Sequence, residues 1–454
     1  LGNVRSDGDL QLVAGNGITV DTAESGAGMQ LSAAHGIEMG SARSEGDMQL
    51  VAGNGITVGT AESGADMQLV AGQSIAVQTA VIGGNGDWQA GGDLRADAVQ
   101  AGCNFAARSG GQLAIGTLQA GCGINLDGSA DLVIDNLQAS GDIALQSRNG
   151  DVQARALASG GALTLQAAGD SRGEQARAGN GAAWTAGSQV SAGQLDVDGT
   201  LSILAGGSIG FDRISSGHAQ LDAAAGDLHG GQLQAATAAL SASQALTLEQ
   251  AQIGQQLALA AQDIQARVSQ DAAGSTPLST RFTGYRNGIA QRVVVEVDAR
   301  DAWLIDSLRA MDAQLVTGNA QVRINEGEVI NSMDLRSAQT HLWMDNNSAR
   351  VRDVDVQLTE LDHTFRLGID GRYVDTNAYV IHFADGFRIT SPNFNASHTD
   401  DGGQYLGESA LRYSSRLLNL PGLLSSPGEV IWRNDDEPVI SIGPGAVNVG
   451  AVSR

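Results

Sequence analysis

The sequence predicts an all-β fold, a parallel β-helix (solenoid) of about 19–20 residues per rung with an irregular C-terminal extension or cap. Three observations predict it. Leu12, Leu31, Leu50 and Leu69 are each 19 residues apart, and three more columns keep that step: Ile18 to Ile75, Val20 to Val77 through Met39, and Ala23 to Ala80. Within each period apolar and polar residues alternate, with Leu10 and Leu12 about Gln11 and Ile18 and Val20 about Thr19. That is the period of a half-buried strand. Between the runs stand Gly15, Asn16 and Gly17, and Glu24, Ser25 and Gly26 close the coil. Gly and Asn accept the backbone angles that corners need.

A rung of this kind carries only about five large apolar side chains, each worth roughly 1.5–3 kcal/mol when buried. That is too little to offset the ordering of its own backbone. Stability must come from neighbouring rungs. A repeat of amphipathic helices is disfavoured by the abundant Gly and by the lack of a 3.6-residue apolar stripe.

Taken in order, residues 6–31 and 44–69 are near copies at an offset of 38, two rungs. Duplication suits a lengthening shaft better than a catalytic centre, which needs unlike residues at unique places. The columns weaken but stay in step through Trp88, Leu94, Leu113, Leu126 and Leu137. A one-residue insertion falls near Asn149–Val152, since Leu163 and Leu165 come 20 after Ile143 and Leu145. Residues 167–193 are ragged and rich in Gly and Ala, with Trp184 expected to cover an opening or a loop. Leu201, Ile203, Leu221, Leu246 and Leu259 resume irregular rungs.

Near residue 270 the composition changes. All six prolines and all five tyrosines follow it. The expected organisation is a regular Gly/Ala-rich β-helix over 1–270 and a less regular aromatic- and Arg-bearing β-helix with longer turns over 271–390. A cap or tip follows over 391–454. Residues 271–284 read as the joining loop. An end cover is expected because an open strand edge invites pairing.

The formal net charge is −24, and all 26 basic residues are arginine. An acidic surface argues against a nucleic-acid partner. No apolar run is long enough for a transmembrane segment. The pattern is already under way at Leu1, so a piece of a longer protein is expected. Cys103 and Cys122 are 19 apart, each ending Gln-Ala-Gly-Cys, and so belong at one place on adjacent rungs. Neighbouring rungs bring such residues within disulfide range, which leaves a disulfide or two stacked thiols. A metal site would need more ligands, so none is expected, nor any cofactor.

The coils Leu-Gln-Leu-Val-Ala-Gly-Asn-Gly-Ile-Thr-Val (10–20), Leu-Thr-Leu-Gln-Ala-Ala-Gly (163–169) and Leu-Ser-Ile-Leu-Ala-Gly-Gly-Ser-Ile (201–209) resemble the repeats of filamentous-haemagglutinin-like proteins. These are large adhesins of Gram-negative bacteria, exported by two-partner secretion. The resemblance covers about residues 1–270, and the family's secretion domain is not seen in it. It implies a right-handed β-helix, an outer-membrane secretion partner, an extracellular cell-surface location and a role in adhesion. Within the family it also resembles pseudomonad biofilm-matrix adhesins of the CdrA type, which bind exopolysaccharide.

β-Helices also serve as polysaccharide-degrading enzymes, which need two carboxylates across a groove. Asp345, Asp353, Asp355, Asp370 and Asp375 are the acids to weigh, but they sit among strands and turns where acids are commonly just solvated. His341, His363, His382 and His398 are scattered. Asp400, Asp401 and Asp435 make a trio for calcium that reads more simply as a solvated loop. The expectation is a protein that binds without turnover. Sugars stack on aromatic rings and take hydrogen bonds from charged side chains. The nominated ligand residues are therefore Trp343, Asp345, Arg350, Arg352, Arg372 and Tyr373, with an extracellular polysaccharide or surface receptor as partner. The alternatives are a purely structural shaft with binding elsewhere, and a β-helix enzyme.

Overall fold

The computed structural model describes residues 2–271, 277–300, 302–318 and 320–336, and beyond them the strand segments of 340–345, 349–357, 365–369, 379–383, 388–391, 412–413, 439–443 and 446–450. The chain forms two compact units, Leu1–Ala225 and Gly226–Arg454. The first is built of parallel coils, the second begins with them, and no α-helix occurs among the described residues.

In the first unit one coil is a five-residue strand such as Met29–Ala33, a three-residue corner, an eight-residue strand such as Ile37–Ser44 and a second three-residue corner, 19 residues in all. The short strand alternates inward and outward as its sequence requires. The long strand carries two successive non-core residues, Gly40 and Ser41, at its middle. The ladder skips there, passing from Met39↔Val58 to Ser41↔Thr60. The long strand also runs further than its sequence suggests: Ser25 belongs to it rather than to the corner. Its hydroxyl is buried 2.7 Å from Gly8 O and 2.8 Å from Gly28 O. Ser44 and Ser63 repeat the arrangement. A buried hydroxyl needs such an acceptor, and the corner carbonyls supply it.

Like residues stack on like. Leu12, Leu31, Leu50 and Leu69 pair in register, each over the next. The column continues through Trp88, Ala107, Leu126, Leu145, Leu165, Trp184 and Ile203. Leu31, Leu50 and Leu69 are fully buried. Corner amides that no strand can satisfy are taken by side chains of the neighbouring coil. Asp66 N donates to Asp47 Oδ1 at 3.1 Å, and Asn85 N to Asp66 Oδ1 at 2.7 Å.

The insertion lies where the spacing puts it. Gly128 pairs with Ser147, an offset of 19, but Leu132 pairs with Val152, an offset of 20. The extra residue is held in the corner 148–151, where Arg148 bonds to Asp127 and Asn149 Nδ2 donates to Ser129 O at 3.0 Å. By the next coil the offset is 19 again.

Residues 167–193 are not ragged in space. They form ordinary coils, and Trp184 is a core residue rather than a cover. Its Nε1 bonds to Ser171 Oγ. Gly173 leaves room for the ring: a Cβ there would lie 2.4 Å from Trp184. The small residues of this stretch compensate for one large one. Trp88 shows the same trade, packed edge-on against Phe105 at 5.0 Å with Ala107 beside it in the column.

In the second unit the coils vary in size. Leu228 pairs with Leu246, Gln256 with Ser279, Asp263 with Arg292 and Leu278 with Trp303. The parallel ladder therefore passes through residue 270, where only the composition changes. Leu278–Thr283, expected within a joining loop, is a strand between 256–260 and 303–308. Phe282 and Trp303 pack edge-on in the core, and Trp303 Nε1 donates to Thr280 Oγ1 at 2.8 Å.

The last parallel strand is Gln321–Arg336, paired with Ala302–Thr317. Beyond it the direction reverses, where the sequence had suggested more coils. Thr340–Asp345 and Ala349–Gln357 both run antiparallel to Gln321–Arg336. Phe365–Ile369, Tyr379–Phe383 and Arg388–Ser391 add further antiparallel pairs, and Val439–Gly443 with Ala446–Gly450 make a separate hairpin. Reversal ends a solenoid because antiparallel strands occupy the open edge of the last coil without requiring another coil to cover them.

Candidate functional site

The strand Gln321–Arg336 organises the nominated ligand region. Along its second half lies Thr340–Asp345, which places Trp343 opposite Asp334 and Asp345 opposite Ser332. Along its first half lies Ala349–Gln357, which places Arg350 opposite Glu328 and Arg352 opposite Glu326. Four of the six nominated residues thus share one strand as neighbour. Arg372 and Tyr373 lie outside the described residues.

Arg350, Arg352 and Arg323 stand at register positions opposite Glu328, Glu326 and Asp355. Of the weighed acids, Asp353 and Asp355 lie on Ala349–Gln357 and Asp345 ends Thr340–Asp345, while Asp370 and Asp375 lie outside the described residues, as do Asp400, Asp401 and Asp435. Among the described residues no three His, Cys, Asp or Glu side chains gather as a metal site.

Cys103 and Cys122 form a disulfide between adjacent coils, with their Cα atoms 4.5 Å apart. Cys122 N also donates to Cys103 O at 3.1 Å, so the covalent bond and the ladder staple the same corner.

A concave feature that the sequence had marked only as ragged lies in the first unit. It is a shallow cleft of about 90 Å³ over Val152 and Ser171. Its walls are the corner residues Asp151, Asp170 and Gln189 and the outward strand residues Gln153, Arg172 and Ser191. Its wall residues fall in two columns of 19-residue step, Asp151 with Asp170 and Gln189, and Gln153 with Arg172 and Ser191.

No protein-family model matches this chain, and no curated protein or solved structure matches it either.

Proposed function

We propose that this chain is a segment of an extracellular adhesin of a Gram-negative bacterium, exported with the help of an outer-membrane secretion partner. Its antiparallel C-terminal strands bind a polysaccharide or surface receptor without turnover. The observation that supports this reading most is the stacking of near-identical coils, like residue on like residue, over residues 10–82 of the first unit. Repetition gives length and a regular outer face, whereas chemistry requires an arrangement found once. A disulfide between adjacent coils suits an oxidising compartment. The binding role falls to the region around Gln321–Arg336, where repetition stops and Trp343, Asp345, Arg350 and Arg352 are brought beside one strand.

The test is retention of the full chain on immobilised bacterial exopolysaccharide and on a glycan array. Arg350→Ala with Arg352→Ala is expected to lower retention about tenfold or more, the loss of one or two charge-assisted hydrogen bonds. Retention equal to the parent, with the fold intact by circular dichroism, would remove these arginines from the reading. It would favour the second reading, a structural shaft.

A further inference from the structure

Asn16, Asn54, Asn85, Asn149, Asn180 and Asn287 each stand before a glycine. Such a pair is prone to cyclise, because glycine has no Cβ to hinder the approach of its nitrogen to the preceding side-chain carbonyl. The nitrogen is the nucleophile, so an N–H already committed to an acceptor must first give it up. The fold commits these amides unequally.

Four are held. Gly86 N donates to Asn104 O at 2.9 Å, Gly150 N to Ser147 Oγ at 3.0 Å, Gly181 N to Asp198 O at 2.9 Å and Gly288 N to Tyr285 O at 3.2 Å. Two of the asparagine side chains are tied down as well. Asn85 Nδ2 donates to Asp66 Oδ1 at 3.2 Å, and Asn149 Nδ2 to Ser129 O at 3.0 Å. Gly55 N, by contrast, donates to no atom among the described residues, and the Asn54 side chain is exposed and makes no hydrogen bond there. Asn16-Gly17 is the copy of this pair two coils earlier, in the same exposed corner.

The reason lies in the neighbouring coil. Gly55 occupies the last corner position before a long strand. Where that position one coil earlier holds an aspartate, its Oδ1 takes the amide. Gln112 N donates to Asp93 Oδ1 at 2.9 Å, Asp151 N to Asp131 Oδ1 at 2.9 Å and Asp170 N to Asp151 Oδ1 at 2.8 Å. One coil before Gly55 the position is Gly36, which has no side chain to offer. Asn54 itself is anchored on both sides, its N donating to His35 O at 2.8 Å and its O accepting from Gln73 N at 2.7 Å.

We propose that Asn54 is a site of spontaneous deamidation and isomerisation. Gly55 N bonds to Asn54 Cγ, the side-chain nitrogen leaves with the amide proton as ammonia, and a cyclic succinimide forms. Water then adds at one of the two ring carbonyls and breaks the bond from that carbon to nitrogen, leaving an aspartyl or isoaspartyl residue at 54. Either product puts a negative charge on a corner, Gly53 to Gly55, that had none. The isoaspartyl form also lengthens the main chain there by a methylene. The corner 148–151 shows that a bend of this solenoid accepts a longer path with the ladder intact. The coil therefore persists while its surface changes with age. This inference rests on neither the adhesin reading nor the C-terminal site.

Peptide mapping by mass spectrometry of the full chain, aged in mildly alkaline buffer, tests it, with electron-transfer fragmentation to separate the two products. Conversion at Asn54 is expected to run about tenfold faster than at Asn85, Asn149 and Asn180, the factor that surrendering a hydrogen bond costs. In denaturant, where the ladder is lost, the rates should draw together. Gly36→Asp should slow conversion at Asn54 about tenfold by capping Gly55 N, whereas Gly36→Ala, which brings no acceptor, should not. A Cβ at 36 meets only Gly55 O, at 3.4 Å, so both variants have room. The proposal is overturned if the folded parent converts Asn54 no faster than the three held asparagines, or if denaturation leaves their ranking as it was. It is equally overturned if Gly36→Asp, folded by circular dichroism, ages at Asn54 like the parent.

Discussion

Three core tryptophans show how a single atom is accommodated in a stacked interior. Trp184 Nε1 and Trp303 Nε1 each find a hydroxyl, on Ser171 and Thr280. Trp88 Nε1 is equally buried and has no partner. The residue 13 before Trp184 is Ser171, whereas the residue 13 before Trp88 is Ile75, which has nothing to offer. Trp184→Phe and Trp88→Phe remove the same ring volume but differ in this bond. The first also strands a buried hydroxyl, at a cost of about 1–3 kcal/mol, while the second discards an N–H that was unsatisfied already. Thermal melts should place Trp184→Phe clearly below Trp88→Phe, and equal melting temperatures would refute the account. Trp184 also shows where sequence reading failed at this scale. Its neighbours Ser171 and Gly173 look like disorder along the chain. They make sense only as volume given up to the coil that stacks on them.

Among the elements, the regular coils were legible because one column fixes the rest. Once Leu31 lies over Leu12, every corner and strand between them is placed, including the extra residue at 148–151. The reversal after Gln321–Arg336 was not legible. Alternation of apolar residues is the same whether two strands run parallel or antiparallel, so Val354 and Val356 announce a strand but not its direction. The register that sets Arg350, Arg352 and Arg323 opposite acids is not visible in a linear reading. The same level holds the staple Cys103–Cys122. It closes a loop of one complete coil, so in the chain-entropy model it stabilises the fold by about 3 kcal/mol. Replacing both cysteines by serine should lower the denaturant midpoint and speed amide exchange over residues 103–122 first. Unchanged exchange in that coil would mean that the ladder alone holds it.

For the molecule as a whole, repetition makes length negotiable and register not. Removing residues 44–62 deletes 19 positions and brings Arg43 to Ser63, which takes the place of Ser44 in every column. Such a chain should fold and melt within about 5 °C of the parent, since stability is nearly a sum over neighbouring coils. Removing ten residues from the same start turns inward side chains outward along the following strands. That chain should lose its β-sheet circular dichroism signal or melt far lower, and a cooperative, parent-like melt would contradict the stacked arrangement.

The corner at 148–151 has a consequence for how such a protein can change over time. A supernumerary amino acid was absorbed at a bend, and one storey later the count was restored. Embellishment of the exterior and continuity of the interior are thereby separable. New specificities can be tried out at the bends, one after another, while the hydrocarbon spine beneath keeps its step.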